Sequence, residues 1–218
     1  MPVSEFHGQV AAIALRAAAP HGFALGGGNA LIAHGIIERS TQDVDVFSDL
    51  QGGVEAAADA VEAALRGAGY RTERWDKTAG LADIFYGMGE GLAEWIVTAP
   101  DGEQMMLQMA YFDRARKPVI MDFGPVLDLE DVVGGKVCAL ASRAEPRDYL
   151  DTSAAMDHYS IEQMIGFARR LDPGLTDRDF GDAGRRLDQW GDGVFAPFGL
   201  SRQDIATLRK RFAAWPRT

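Results

Sequence analysis

The sequence predicts an α+β protein with an α/β-like start, in which a mixed β-sheet backed by helices is followed by a helical C-terminal region. Three observations support this fold class. Helical and strand patterns alternate at the beginning, turn residues separate several strand patterns in the middle, and apolar residues recur at helical spacing from Leu129 onward. We therefore predict a core over residues 1–125 and a helical region over residues 126–218.

The opening elements alternate between helix and strand. Residues 3–18 are alanine-rich with apolar residues at helical spacing, and Pro20-His21-Gly22 ends that helix. Residues 23–25 are a short apolar run that predicts a buried strand, and residues 54–67 form another alanine-rich helix pattern. This order is typical of the start of an α/β sheet.

The middle of the chain is predicted to be mainly β-strand. Turn residues such as Pro100, Asp101 and Gly102 separate these strands. The predicted strands cover residues 70–75, 82–86, 95–98, 104–111 and 118–121.

A glycine turn follows the first strand. Gly26, Gly27 and Gly28 have no Cβ atoms, so a ligand can approach their backbone amides closely. Asn29 is predicted to be the N-cap of a short helix over residues 30–34, which Gly35 ends. Open amides at such a helix start favour a phosphate group.

Two carboxylates follow on the next predicted strand. Asp43 and Asp45 alternate with Val44 and Val46, so both acids lie on one face of the strand. Neighbouring carboxylates repel each other unless a cation lies between them. Because oxygen ligands suit hard cations, the pair predicts a site for Mg²⁺ (or Mn²⁺).

A second group of charged residues lies on a predicted helical hairpin. Lys136 lies in the helix predicted over residues 130–142, and Arg143, seven positions later, lies near the same face. Asp148 and Asp151 share a face of the next helix, which starts near Pro146. The hairpin could direct these groups to one point. Surface ion pairing, for example between Arg147 and Asp151, is the alternative explanation.

Composition excludes several classes of protein. The chain has 218 residues, 47% of them hydrophobic, with a net charge of −10, which argues against a protein that binds nucleic acid over its whole surface. Residues 160–218 hold 10 Lys or Arg against 8 Asp or Glu, whereas the preceding residues hold 12 against 24. No apolar stretch is long enough to span a membrane and no signal peptide is evident, so we expect a cytoplasmic protein. Cys138, the only cysteine, is expected to be a small buried apolar residue.

These motifs resemble those of a known family. The glycine turn followed by D-x-D resembles the nucleotidyltransferase superfamily. The pattern K-x6-R-x3-R-D-x2-D, formed by Lys136, Arg143, Arg147, Asp148 and Asp151, resembles the third motif of the AbiEii/AbiGii family of nucleotidyltransferase toxins. That family includes toxins of type IV toxin-antitoxin systems and resembles the MenT-like enzymes, which add nucleotides to the acceptor end of tRNA.

The resemblance implies roles for these residues. It makes Asp43, Asp45, Lys136 and Asp151 the catalytic residues, Asp43 and Asp45 the metal ligands, and an NTP the substrate, with the helical region completing the active site. Asp151 would complete the metal site or accept the proton of the attacking hydroxyl. The predicted nucleotide-binding residues are Gly26, Gly27, Gly28, Asn29, Arg39, Ser40, Thr41, Arg143, Arg147 and Asp148.

Two departures from the family pattern concern the turn and a third acid. The usual Gly-Ser turn is replaced by glycines and Asn29, so a hydroxyl contact to phosphate is missing unless Asn29 or Ser40 replaces it. Many nucleotidyltransferases carry a third acid on a later strand, where this chain has Gln108.

The acceptor is left open by the sequence. RNA, most plausibly a tRNA end, is the first possibility, together with an antitoxin as protein partner. The overall acidity equally suits a cationic small molecule such as an aminoglycoside, and a catalytically silent nucleotide-binding module is the third alternative. The candidate RNA surface consists of Arg169, Arg170, Arg185, Arg186, Arg209, Lys210 and Arg211.

Overall fold

A computed structural model describes residues 5–75 and 91–218 of the chain. It divides into two compact units, Met1–Asp128 and Leu129–Thr218. The first contains a sheet with helices, and the second is helical, as the sequence predicts. The predicted strand over residues 82–86 lies outside the described residues.

A seven-stranded mixed sheet forms the first unit. Its strand order is β3-β4-β5-β2-β1-β7-β6, with β2 parallel to β5, β1 parallel to β7 and the other neighbours antiparallel. The strands are β1 (Ala24–Leu25), β2 (Asp43–Ser48), β3 (Arg71–Arg74), β4 (Leu92–Thr98), β5 (Gln104–Tyr111), β6 (Val119–Met121) and β7 (Gly124–Val126).

Three helices belong to this unit: α1 (Glu5–Ala17), α2 (Gly27–Ala33) and α3 (Gly53–Gly67). α1 and α3 pack against each other and against the sheet. The strand alternation explains why, since Val44 and Val46 are completely buried while their neighbours on β2 are only partly so. Full burial of a side chain of this kind stabilises the fold by about 1.5–3 kcal/mol. The same alternation leaves Asp43 and Asp45 on the opposite face.

Two strands depart from the prediction by more than one residue at an end. β4 begins at Leu92, three residues before the predicted start, because pairing with β5 extends through Leu92 and Ala93 although alanine and glutamate have little intrinsic strand preference. β7 was not predicted from the sequence. It is only three residues long and contains Pro125, and its formation depends on its neighbours β1 and β6.

Five α-helices are described in the second unit: α4 (Leu129–Ser142), α5 (Pro146–Ala155), α6 (Ile161–Leu171), α7 (Asp177–Gln189) and α8 (Arg202–Arg211). Reciprocal side-chain and backbone hydrogen bonds cap α5, α6, α7 and α8 at their N-termini. Pro146 is the first residue of α5, as predicted. No helix among the described residues is both long and apolar enough to cross a bilayer.

Aromatic side chains fill the core of the helical unit. Tyr149 packs edge-on against Trp190 and Phe212, and its hydroxyl donates a hydrogen bond to the carbonyl of Ala183 at 2.7 Å. Burial raises the pKa of the Tyr149 hydroxyl. The indole of Trp215 donates to the carbonyl of Phe180 at 3.0 Å, so both buried donors are satisfied.

Cys138 is partly buried on α4, and its thiol donates to the carbonyl of Ala168 at 3.5 Å. Burial raises the pKa of the thiol to about 11, and the nearby charge of Asp172 adds to the rise. Since the thiolate is the reactive form, alkylation by iodoacetamide at pH 8 should be about 100-fold slower in the native protein than in urea. The native rate should rise steadily up to about pH 11. Equal native and unfolded rates at pH 8 would contradict this assignment.

Candidate active site

The glycine turn lies directly against the strand that carries the two acids. The amide of Gly26 donates to the carbonyl of Asp45 at 2.8 Å. Gly27 has a φ of +59°, and a Cβ on it would lie 1.8 Å from Asp45 Oδ2. A Cβ on Gly26 would lie 2.3 Å from the ring of Phe47. Only glycine therefore allows the turn to approach β2 this closely.

The predicted role of Asn29 as an N-cap is wrong. α2 begins at Gly27 and Gly26 is its N-cap, so Asn29 is the third residue of the helix. Its side chain is 1% exposed. It donates from Nδ2 to the carbonyl of Asp43 at 2.7 Å and accepts from the hydroxyl of Thr41 at 2.7 Å. Asn29 therefore connects the turn to the start of β2, which is why a buried amide occupies this position.

The segment before β2 also approaches the turn. A Cβ on Gly28 would lie 2.5 Å from Thr41 Cγ2 and 4.0 Å from Arg39 Nη2. Ser40 is exposed, and its carbonyl accepts from Arg39 Nη1 at 3.2 Å. The structure thus brings the glycine turn, Arg39, Thr41 and Asp45 together, although they are up to 19 positions apart in the sequence.

The first backbone amides of α2 make no hydrogen bond within the helix. The amide of Ala30 is the first to bond within the helix, to the carbonyl of Gly26 at 3.0 Å. The amides of Gly27, Gly28 and Asn29 precede that ladder and have no intrahelical acceptor. Backbone donors of this kind are suited to phosphate oxygens.

A polar row crosses the sheet from Asp45. In the strand register Asp45 pairs with Gln108 of β5, and Gln108 pairs with Glu94 of β4. The amide nitrogen of Gln108 donates to Glu94 Oε1 at 2.9 Å, and Glu94 is only 4% exposed. The sequence analysis missed Glu94 because it started β4 at Trp95. Nothing in the sequence alone fixes the register that aligns Glu94 with Gln108.

The donor set of the β2 face fits a small hard cation that takes few protein ligands. Within residues 5–75 and 91–218, no three His, Cys, Asp or Glu side chains are grouped so that they could hold a metal ion together. Two aspartates on one strand face are nevertheless sufficient for Mg²⁺, which is commonly held by one or two carboxylates together with substrate phosphates.

The helical hairpin pairs Lys136 with Asp151. Nζ of Lys136 on α4 lies 2.9 Å from Oδ2 of Asp151 on α5, and the two side chains are 15% and 0% exposed. A pair with this little exposure is not an ordinary surface ion pair, because both charges are largely removed from water. The predicted convergence of a lysine and a carboxylate on this hairpin is therefore observed.

Two further charged residues of the motif, Arg143 and Asp148, contact each other. Arg143 forms a two-pronged contact with Asp148, from Nε to Oδ2 and from Nη2 to Oδ1, each at 3.0 Å. Asp148 is completely buried, and its Oδ2 also accepts from the amide of Glu145 at the start of α5. The pair thus fastens the end of α4 to the start of α5.

Arg147 and Asp151 each contact a charged partner other than the one that helical spacing suggests. Nε of Arg147 lies 2.9 Å from Oε2 of Glu145, and Asp151 is occupied by Lys136. Helical i, i+4 spacing predicts partners on the same helix only, whereas Lys136, the partner of Asp151, lies on the preceding helix.

Most of the C-terminal arginines contact groups inside the helical unit. Arg170 pairs with Glu130 at 2.6 Å, and Arg186 donates to the carbonyl of Arg143 at 2.6 Å. Arg209 donates to the carbonyls of Leu187 and Trp190 at 2.6 Å each. Further carboxylate partners are Asp177 for Arg169, Asp182 for Arg185 and Asp157 for Arg211. These arginines therefore hold helices of the unit together.

The match to a family model shows the class of protein, which is a nucleotidyltransferase. Residues 11–212 match the family model described as nucleotidyl transferase AbiEii toxin, Type IV TA system. The chain belongs to this family of nucleotidyltransferase toxins.

Solved structures show the same fold. JHP933 from Helicobacter pylori superposes with a TM-score of 0.61 at 14% identity, covering 96% of this chain and 91% of that one. MenT4, a nucleotidyltransferase toxin from Mycobacterium tuberculosis H37Rv, gives a TM-score of 0.60 at 16% identity, covering 95% of this chain and 82% of that one. No curated protein matches the chain in sequence.

Replacing Gly27 by alanine should impair catalysis more than folding. The new Cβ would collide with Asp45 Oδ2 and require a left-handed backbone, which costs about 1–3 kcal/mol. Displacement of Asp45 should lower nucleotide transfer at least about tenfold, because small misplacements of reacting groups are costly. Gly8→Ala is the matched control, since a Cβ there meets nothing within 4 Å. Wild-type transfer by Gly27→Ala would show that the close approach is not needed.

Proposed function

We propose that this enzyme transfers a nucleoside monophosphate from an NTP to an acceptor hydroxyl on RNA, in particular at the end of a tRNA. The observation that supports the transfer most strongly is the contact of Asp45 with Gly27. In this contact the Asp45 carboxylate, our proposed cation ligand, lies next to a turn whose amides suit phosphate oxygens, so one bound triphosphate could use both.

Asp43 and Asp45 would hold Mg²⁺ (or Mn²⁺) in this proposal. When bound, the ion neutralises charge on the phosphate oxygens of the substrate. The amides of Gly27, Gly28 and Asn29 bind the phosphates, and Arg39 lies where its guanidinium can contact them. Gln108, held by Glu94, is a neutral neighbour of Asp45 and adds no repulsion to the two aspartates.

The chemical step is a substitution at the α-phosphorus. The oxygen of the acceptor hydroxyl forms the new bond, the bond from the α-phosphorus to the bridging oxygen breaks, and pyrophosphate leaves with the electron pair. The ammonium of Lys136 stabilises the charge that develops on pyrophosphate. The proton of the hydroxyl passes to Asp151, whose carboxylate also positions Lys136 through their contact at 2.9 Å.

The biological role we propose is that of the toxin in a type IV toxin-antitoxin system, restrained by an antitoxin protein. The family description supports this role. Co-expression with the product of the adjacent reading frame should relieve the growth arrest that the enzyme causes alone.

Incubation with each labelled NTP and total RNA tests the proposed reaction. We expect label in the tRNA fraction that depends on Mg²⁺ and on an NTP. Calorimetry of NTP binding is the companion measurement. Tight binding without product on any acceptor would instead indicate a silent nucleotide-binding module.

A small cationic acceptor is the second candidate. The internal contacts of the C-terminal arginines favour it, because they reduce the cationic surface offered to RNA by the helical unit. The net charge of −10 also attracts a cationic substrate. Transfer to aminoglycosides but not to RNA in the same assay would establish this alternative.

A further inference from the structure

We propose that the first unit contains a second anion-binding site, at a distance from the two aspartates. This site binds the phosphate backbone of the acceptor RNA. The site is a cavity of about 890 Å³. We call it the basic pocket, and its charged lining residues are Arg16, Asp49, Arg114, Arg116, Lys117 and Asp122. This inference rests on the proposed transfer to RNA.

The basic pocket reverses the charge of its surroundings. Residues 1–128 contain 9 Lys or Arg against 18 Asp or Glu, yet four of those nine cations line this one cavity. Among the described residues that line it, two are acids. A local excess of cations on an acidic unit selects an anionic ligand.

One of the four cations is built into the wall. Arg114 forms an ion pair with Asp49 at 2.5 Å and donates to the carbonyl of Gly22 at 2.9 Å. This pairing also neutralises Asp49. Arg16 and Lys117 are exposed, and Asp122 is the remaining acid among the described residues that line the pocket, so the pocket retains an excess of positive charge toward solvent.

The apolar lining favours nucleotides over a simple anion. Pro118, Ile120, Phe123 and Pro125 line the cavity beside the cations, and Ile120 is 75% exposed. Proteins bind single-stranded nucleic acids with cations for the backbone and aromatic side chains for base stacking, and Phe123 is the aromatic side chain among these four. The cavity also falls within the range of about 300–1,000 Å³ that is usual for ligand sites.

The basic pocket lies at the opposite end of the strands from the two aspartates. Gly22 and Phe23 precede β1 and Asp49 follows β2, whereas the glycine turn follows β1 and Asp43 begins β2. Six residues of strand separate Asp43 from Asp49, or about 20 Å at 3.3 Å per residue. That distance corresponds to about six stacked nucleotides at roughly 3.4 Å per step, the spacing along one strand of a DNA helix. Only acceptors of at least this length can occupy both places.

Charge reversal of Arg16 and Lys117 together tests the basic pocket. Both are exposed, so the double variant Arg16→Glu/Lys117→Glu should fold and melt as the wild type does. The control is Arg178→Glu/Arg202→Glu, which makes the same change in net charge on the helical unit, where both arginines are exposed. Binding of bulk tRNA is measured by fluorescence anisotropy over a salt series.

We expect the pocket variant to bind tRNA more weakly, with a salt slope smaller by about two, and the control to bind as the wild type does. For the pocket variant, the KM of transfer to a 20-nucleotide acceptor should rise, whereas transfer to a 4-nucleotide acceptor should be unchanged. Unchanged tRNA binding by the pocket variant, or an equal loss in the control, overturns the inference. Because binding is measured without turnover, failure of RNA transfer alone would reject the proposed function and leave the basic pocket standing.

Discussion

Replacing Asp43 by alanine is expected to lower nucleotide transfer about 10²- to 10³-fold, the usual cost of removing one electrostatic stabiliser from an active site. Asp43 lies on the polar face of β2, opposite the buried Val44. Its removal therefore leaves the packing of the sheet intact, and the loss should appear in kcat rather than in stability. Single-turnover transfer from an α-labelled NTP is the measurement.

The matched control for Asp43 is Glu103→Ala. Glu103 is an exposed acid of the same unit, in the turn between β4 and β5. The Glu103→Ala enzyme should transfer nucleotide at the wild-type rate. This result would exclude a general effect of lost negative charge. An Asp43→Ala enzyme as active as this control would remove the D-x-D strand from the mechanism.

Replacing Arg143 by alanine is expected to destabilise the helical unit by about 3 kcal/mol, the low end of the cost of leaving a buried charge without its partner. Asp148 is completely buried and loses both hydrogen bonds from the guanidinium, keeping only the one from the amide of Glu145. The low end applies because Arg143 itself is 45% exposed. Urea unfolding followed by the fluorescence of Trp190 and Trp215 measures the effect.

Arg147→Ala controls for the loss of one arginine at the same hairpin. Its pair with Glu145 is exposed on both sides, so we expect a change below about 1 kcal/mol. The resemblance to the family motif assigns both arginines to the nucleotide. If Arg143→Ala kept wild-type stability and lost only NTP binding, that assignment would be correct and the structural role wrong.

The sequence predicted elements best where a local rule determines the structure. The alternation of valine and aspartate defined β2 and its two faces, the bounds of β5 agree with those predicted, and Pro146 marked the start of α5. Each of these signals lies within a few residues of the element it describes, so no knowledge of the tertiary structure is needed.

The failures share a dependence on distant residues. Asn29 has the side chain of an N-cap, but its partners are Thr41 and the backbone of Asp43, and the helix starts three residues earlier than predicted. Glu94 becomes part of the polar row only through the register of β4 with β5. The internal contacts of the C-terminal arginines also involve carbonyls and acids of distant residues, so the sequence alone does not indicate them.

We propose that Asp43 and Lys136, which belong to different units, serve one chemical step. A double-mutant cycle on single-turnover transfer, with Asp43→Ala, Lys136→Ala and the double variant, tests it most directly. Residues that act as a unit give strongly non-additive losses. We predict that each single variant loses about 10²- to 10³-fold and that the double variant is hardly worse than either. Wild-type transfer by Lys136→Ala, or losses that multiply fully in the double variant, would contradict the claim.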